Sequence, residues 1–135
     1  MARITVVNDS PEFLEIMEEL VAVQGGHEFI GFDGAESSYA EISATKPDVL
    51  IIDLRLAMDG LSGWDVLALA RADDSLRDVP VIVVSADIDQ VRRRALEFER
   101  VGNIHVRTKP FDSNEMIELI DRLALDGQAP RQAAS

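Results

Sequence analysis

The order of apolar and amphipathic segments predicts an α/β fold with five parallel strands in the order 2-1-3-4-5, doubly wound with helices on both faces. Three observations carry this expectation. Short apolar runs alternate with helical patterns along the whole chain. Two of the runs, VLIIDL and VIVVSA, are continuous and β-branched without period-2 alternation, as strands covered on both faces read. The length, 135 residues, suits one domain.

The first strand is Ile4–Val7. Ser10-Pro11 then supplies a cap and a first-turn proline, with Phe13, Ile16, Met17, Leu20 and Val21 at helical spacing and Gly25-Gly26 as the stop. Glu28–Phe32 is the second strand, and the capping-box spacing Asp33-Gly-Ala-Glu36 opens a weaker helix holding Tyr39 and Ile42, ended by Lys46-Pro47. Val49–Leu54 leads, after a loop, to a second capping box, Ser62-Gly-Trp-Asp65, before Val66–Arg71. Val81–Ser85 is the fourth strand, and Ile88, Val91, Ala95 and Phe98 give one face of a fourth helix. Asn103–Thr108 is the fifth strand. Asp112-Ser-Asn-Glu115 caps a last helix carrying Met116, Leu119, Ile120 and Leu123. From Asp126 the composition turns to Gly, Gln, Ala, Pro and Ser. The domain is therefore expected over residues 1–125, with 126–135 a flexible C-terminal tail.

Thirteen basic against 25 acidic residues leave a formal charge of −12. Such a surface repels phosphate backbones and anionic lipid, so neither nucleic acid nor membrane is expected as a partner. The absence of cysteine excludes disulfides, thiol catalysis and zinc–thiolate sites, and suits a reducing compartment. Polar residues arrive at Asn8-Asp9, too soon for a signal peptide, and no apolar run approaches the roughly 18 residues of a membrane span. A cytoplasmic domain is expected.

In an open parallel sheet, ligands sit beyond the carboxyl ends of the strands, at the point where strand order reverses. Strand one ends in Asn8-Asp9, strand three in Asp53, strand four in Ser85 and strand five in Lys109-Pro110. Asp9 taken singly reads equally well as a helix cap, and Ser85 taken singly reads more readily as a cap or turn residue than as a site. Asp53 caps nothing, because the next helix signal is nine residues away. Lys109 is one of only two lysines in a chain with 11 arginines, which suggests a need for a compact ammonium. Converging carboxylates need a cation, and an oxygen-only donor set suits a hard ion such as Mg²⁺. A carboxylate beside such an ion, with an ammonium and a hydroxyl opposite, is an arrangement for phosphoryl transfer.

The pieces VVNDSPEFLEIMEEL, VLIIDLRL, VPVIVVSAD and TKPF, in that order and spacing, resemble the receiver domain of bacterial two-component response regulators over about residues 3–125. The resemblance implies the flavodoxin-like fold of chemotaxis receivers. It implies Asp53 as phosphoacceptor, with Ser85 contacting the phosphoryl group and Lys109 as its counter-ion. Mg²⁺ would be held by Asp9, Asp53 and the backbone carbonyl of Arg55, and Pro110 would follow a cis bond. The partners implied are a sensor histidine kinase or histidine phosphotransfer protein and a downstream protein effector, with a homodimer as a further option. Such a chain is a stand-alone phosphoacceptor, not an enzyme acting on an external substrate.

Three departures stand out. Asn8 occupies the place of a first acid, keeping an oxygen ligand but losing a charge. The loop LRLAMDGLSGW is about two residues longer than usual, with Ala57 where proline is common. Val106, beside His105, replaces the aromatic often found three residues before the lysine. These motivate a rival reading, a non-phosphorylated pseudo-receiver used as an interaction module. A phosphatase built on Asp53 lacks a second catalytic acid, and a flavin carrier lacks a phosphate loop after strand one. Arg92, Arg93 and Arg94 are expected on a solvated helix face that could dock an acidic partner surface, together with Val106. His27 and His105, 78 residues apart, are read as structural, and Trp64 as packed.

Overall fold

The computed structural model describes residues 2–33, 38–54, 57–58 and 61–133. Its main sheet contains β1 (Arg3–Val7), β2 (Glu28–Phe32), β3 (Val49–Asp53), β6 (Val81–Ser85) and β7 (Ile104–Thr108). These strands are parallel and ordered β2-β1-β3-β6-β7, which is the expected 2-1-3-4-5 order. Between β3 and β6 a small antiparallel pair intervenes, β4 (Ala57–Met58) with β5 (Leu61–Ser62). The pair stands where the sequence pattern predicts a loop.

The central strands bury both faces, and their side chains alternate between two cores. Ile4, Val6, Val49, Ile51, Ile82 and Val84 pack with α1 (Pro11–Glu18) and α6 (Ser113–Ala133), through Phe13, Met17, Met116, Leu119 and Ile120. Val7, Leu50, Ile52, Val81 and Val83 face α2 (Tyr39–Ala44) and α3 (Gly63–Ala72), through Ile42, Val66 and Leu67. Continuous apolar strands are what such a two-sided burial requires. Thr5, a buried polar side chain in the middle of β1, contacts the Thr45 hydroxyl at 2.8 Å. Thr45 spends its own proton on the Ile42 carbonyl, so Thr5 is the donor.

Several helix ends follow the sequence. Ser10 accepts from Phe13 N–H, Ser62 and Asp65 form a full capping box, and Asp112 accepts from Glu115 N–H at 3.0 Å. Others differ. After Glu18 the first helix widens into a π-helical stretch, Glu19–Gln24, with Gly25 N–H bonded to the Leu20 carbonyl. Helix α2 starts at Tyr39 with Ser38 as its cap; the capping box expected at Asp33–Glu36 falls largely on residues 34–37, outside the described residues.

The expected fourth helix is two, α4 (Ile88–Arg93) and α5 (Ala95–Val101), broken at Arg94. The break has a tertiary cause. Trp64 stacks on Phe98 at 5.0 Å between centroids, and the Arg94 guanidinium lies 4.4 Å over the Trp64 ring. A continuous helix presenting Val91 and Phe98 to the sheet gives way so that Arg94 can cover the indole.

Helix α6 continues to Ala133, past the Leu125 at which the domain was expected to end.

At the amino edge of the sheet, Arg71 donates to the carbonyls of Leu76, Val79, Gly102 and Asn103, tying α3 to the turns before β6 and β7. Burial lowers the pKa of its guanidinium. Tyr39 and Ser43 donate to Asp73, joining α2 to the end of α3. Burial, then the bond to Asp73, pushes the Tyr39 hydroxyl above its ordinary pKa, while the Ser43 bond, first among several, holds Asp73 below the usual carboxylate range.

Candidate functional site

The site is built where β1, β3, β6 and β7 end. Register places Val7 beside Ile52, Ile52 beside Val83 and Val83 beside Val106, so the residues that follow converge on one edge. Asn8 and Asp53 continue the side-chain parity of the α1/α6 face, as does Lys109 after β7.

Lys109 Nζ donates to Asp53 Oδ2 at 3.0 Å, and Asn8 Nδ2 reaches the same oxygen at 3.4 Å. Asp53 is 7% exposed and Asn8 1%. The Asp53 side chain is nearly enclosed and that of Lys109 partly exposed, so water screens their attraction less than at the surface while desolvation of the carboxylate offsets part of the gain. The Asn8 amide has a fixed sense: Ser10 N–H donates to its Oδ1 at 2.8 Å, and a backbone N–H can only donate. Its nitrogen is therefore the end turned toward Asp53.

Lys109 is held from three directions. Its backbone N–H bonds the Ser85 carbonyl at 3.0 Å, the Lys109–Pro110 peptide is cis, and its ammonium lies 4.8 Å over the Phe13 ring. The cis bond is the one expected.

Ser85 is fully buried at the end of β6, its Oγ accepting from Asp87 N–H at 3.1 Å. Asp9 is exposed at the end of β1. Arg55 lies outside the described residues. Among the described residues, Asn8 and Lys109 thus both contact Asp53, with Ser85 on the neighbouring strand end. Val106 is half-buried against the α2/α3 core. Arg92 and Arg93 are exposed, whereas Arg94 is engaged with Trp64 and with Glu97 at 3.2 Å. His27 accepts from Ala2 N–H and bridges to Asp121 at 2.7 Å, a structural tie at the far edge.

The donor types at the strand ends suit a hard divalent cation, the carboxylates of Asp9 and Asp53 with no sulfur or imidazole among them, whereas Asn8 turns its nitrogen toward Asp53 and its oxygen to Ser10 N–H. The set is sparse. Among the described residues no three acidic, histidine or cysteine side chains cluster.

Two features were not foreseen. Gly63 is buried at the start of α3, so close to the Asp53 carbonyl that a Cβ there would stand 2.3 Å from the oxygen. Phe13 had been read only as core. Neither has a local signal, because both contacts join residues far apart in sequence.

Comparison with known proteins settles the family. The model of the response regulator receiver domain matches residues 4–121. The chain belongs to that family. The response regulator FleR of Pseudomonas aeruginosa is 30% identical over 131 residues, covering 96% of this chain and 26% of FleR. The chemotaxis protein CheY of the same organism is 26% identical over 121 residues, covering 90% of this chain and 94% of CheY. The first three curated relatives are matched over 26%, 47% and 49% of their own lengths. Two solved structures share the fold. The receiver domain of the Francisella response regulator 1452 has a TM-score of 0.77 at 22% identity, covering 95% of this chain and 100% of that one. CheY4 of Vibrio cholerae has 0.76 at 19%, covering 91% and 98%. Among the described residues, no helix is long and apolar enough to cross a membrane.

Proposed function

We propose that this receiver accepts a phosphoryl group on Asp53 from the phosphohistidine of a sensor kinase or phosphotransfer protein, in the cytoplasm, and thereby changes its affinity for a downstream protein. The observation that carries this reading is the Asp53–Lys109 contact at 3.0 Å at the carboxyl edge of the sheet. A carboxylate oxygen of Asp53 attacks phosphorus in line, the O–P bond forming as the donor's N–P bond breaks and the imidazole leaves. Lys109 places fixed positive charge where the equatorial oxygens gather negative charge. Asp9 and Asp53 would hold a Mg²⁺ ion, which Asn8 would join only by turning its amide oxygen away from Ser10 N–H, and the ion would add positive charge against the same oxygens. Ser85 gives up its contact with Asp87 N–H to bond the phosphoryl group, which biases the segment from α4 to β7.

The output surface in this reading is the face of α4, α5 and β7, where Arg92, Arg93 and Arg100 are exposed on an otherwise acidic molecule. An acidic protein surface is the complementary partner; a second copy of the chain is the alternative. The longer contact from Asn8 to Asp53 favours a second reading, the unphosphorylated interaction module, since an amide can quieten the carboxylate without a metal.

Incubation with acetyl phosphate and Mg²⁺, read by intact mass, separates the two. The proposal expects one added phosphoryl group, labile to hydroxylamine and absent in Asp53→Asn. A wild type that stays unmodified with acetyl phosphate and with phosphorylated histidine donors would refute it.

A further inference from the structure

We infer that Phe13 is a positioning residue for Lys109: its ring face holds the ammonium in line with Asp53. This rests on the reading of Asp53 as phosphoacceptor and extends it to a residue outside the strand ends. Lysine is a point charge on a four-carbon stem with several rotatable bonds, so its direction must be imposed from outside. The backbone of Lys109 is anchored to Ser85, but that anchor leaves the stem free. The Phe13 ring supplies a wall, its centroid 4.8 Å from the same Nζ that lies 3.0 Å from Asp53 Oδ2.

The ring is itself oriented. Phe111, two residues after Lys109, meets Phe13 edge to face at 6.2 Å between centroids and 84° between planes. Phe13 is 8% exposed, on the first full turn of α1, whose start is fixed by the Ser10 cap. A cation over a ring face in a partly dry site is attracted by the quadrupole. The contact therefore does more than fill space, and an aliphatic residue of similar volume cannot replace it. Helix α1 is joined in this way to the charge that meets the phosphoryl group.

The chain has only two lysines, Lys46 and Lys109, so lysine-selective ¹³C labelling gives two side-chain signals, assigned with Lys46→Arg. The ε-protons of Lys109 are expected upfield of those of Lys46 through the Phe13 ring current. That shift should vanish in Phe13→Leu and return in Phe13→Tyr. Phosphorylation by acetyl phosphate should slow roughly 5- to 10-fold in Phe13→Leu and recover in Phe13→Tyr, as loss of a partly desolvated cation–π contact implies. Circular dichroism melts confirm that each variant is folded, and the tyrosine variant keeps the test open should Phe13→Leu fail to fold. An unshifted Lys109 in the wild type, or Phe13→Leu labelled at the wild-type rate, overturns the inference. A wild type that shows the shift but is never labelled refutes the phosphoacceptor reading instead, so the two failures are distinct.

Discussion

Replacing Gly63 by alanine sets two effects of opposite sign against each other. Alanine is the better helix former, and in an open helical position the exchange would stabilise by about 0.5–1 kcal/mol. Here the added Cβ would lie 2.3 Å from the Asp53 carbonyl oxygen, 2.7 Å from Leu54 Cα and 3.0 Å from the Asp53 carbonyl carbon. Carbon and oxygen touch at about 3.3 Å, so the first contact is about 1 Å too close. All three atoms are backbone, at the end of a fully buried strand, and no rotamer change relieves them. Either α3 lifts from the sheet or Asp53 is displaced. Overpacking of this kind costs about 1–3 kcal/mol, and rigid neighbours put Gly63→Ala toward the upper end. For a chain of this length that is a fall in Tm of about 10 °C, read by thermal melts. Because the clash is with the backbone of Asp53, phosphorylation by acetyl phosphate should slow as well. An unchanged or raised Tm would show that helix propensity wins, and that α3 does not press on the phosphoacceptor strand.

Two further outcomes are expected. Asn8→Asp adds a negative charge beside Asp53 and removes the amide donor, so the metal-free protein should be less stable while Mg²⁺ binds about 10-fold or more tighter, the direction and scale of a close charge at an effective dielectric near 20. Fluorescence of Trp64, the only tryptophan, follows the titration, and equal affinity in the two proteins would remove position 8 from the metal site. Arg92→Glu with Arg93→Glu should weaken a salt-sensitive complex with an acidic partner or second copy while acetyl phosphate labelling is retained; undiminished binding, measured by calorimetry against the identified partner, would move the interface off α4.

What could be read from the sequence is what local chemistry decides. VLIID and VIVVS are apolar at every position but the last because both faces are covered, and that pattern fixes a parallel sheet before any contact is known. The polar strand ends were legible for the same reason: Asp53 and Ser85 interrupt runs that otherwise contain no polar atom. The capping box at Ser62 and the side-chain cap at Asp112 depend only on neighbours in sequence. The features not read depend on distant partners. Ile88, Val91, Ala95 and Phe98 are spaced for one helix, and nothing near Arg94 announces the Trp64 ring that draws it out of line. The β4–β5 pair did carry a local signal, since Asp59-Gly60 between short apolar segments is a hairpin dipeptide, but the reading passed over it.

The Asn8 departure and the Phe13 contact bear on each other through charge. Asp9, Asp53 and Lys109 leave one net negative charge at the strand ends, where an acid at position 8 would make it two. A less negative site would attract a divalent cation less strongly, so in the proposed phosphoryl transfer a larger share of the neutralisation would fall to Lys109. A charge that carries more of the stabilisation must be better placed, because its effect depends on distance and on the water excluded around it. The Phe13 face, steadied by Phe111, supplies that placement. Asn8 adds a donor toward Asp53 without adding charge, which keeps the carboxylate oriented when no metal is near. In the proposed reading, Asn8 and the aromatic wall beside Lys109 would thus work in the same direction, toward a phosphoacceptor whose geometry is set more by the chain itself than by an ion.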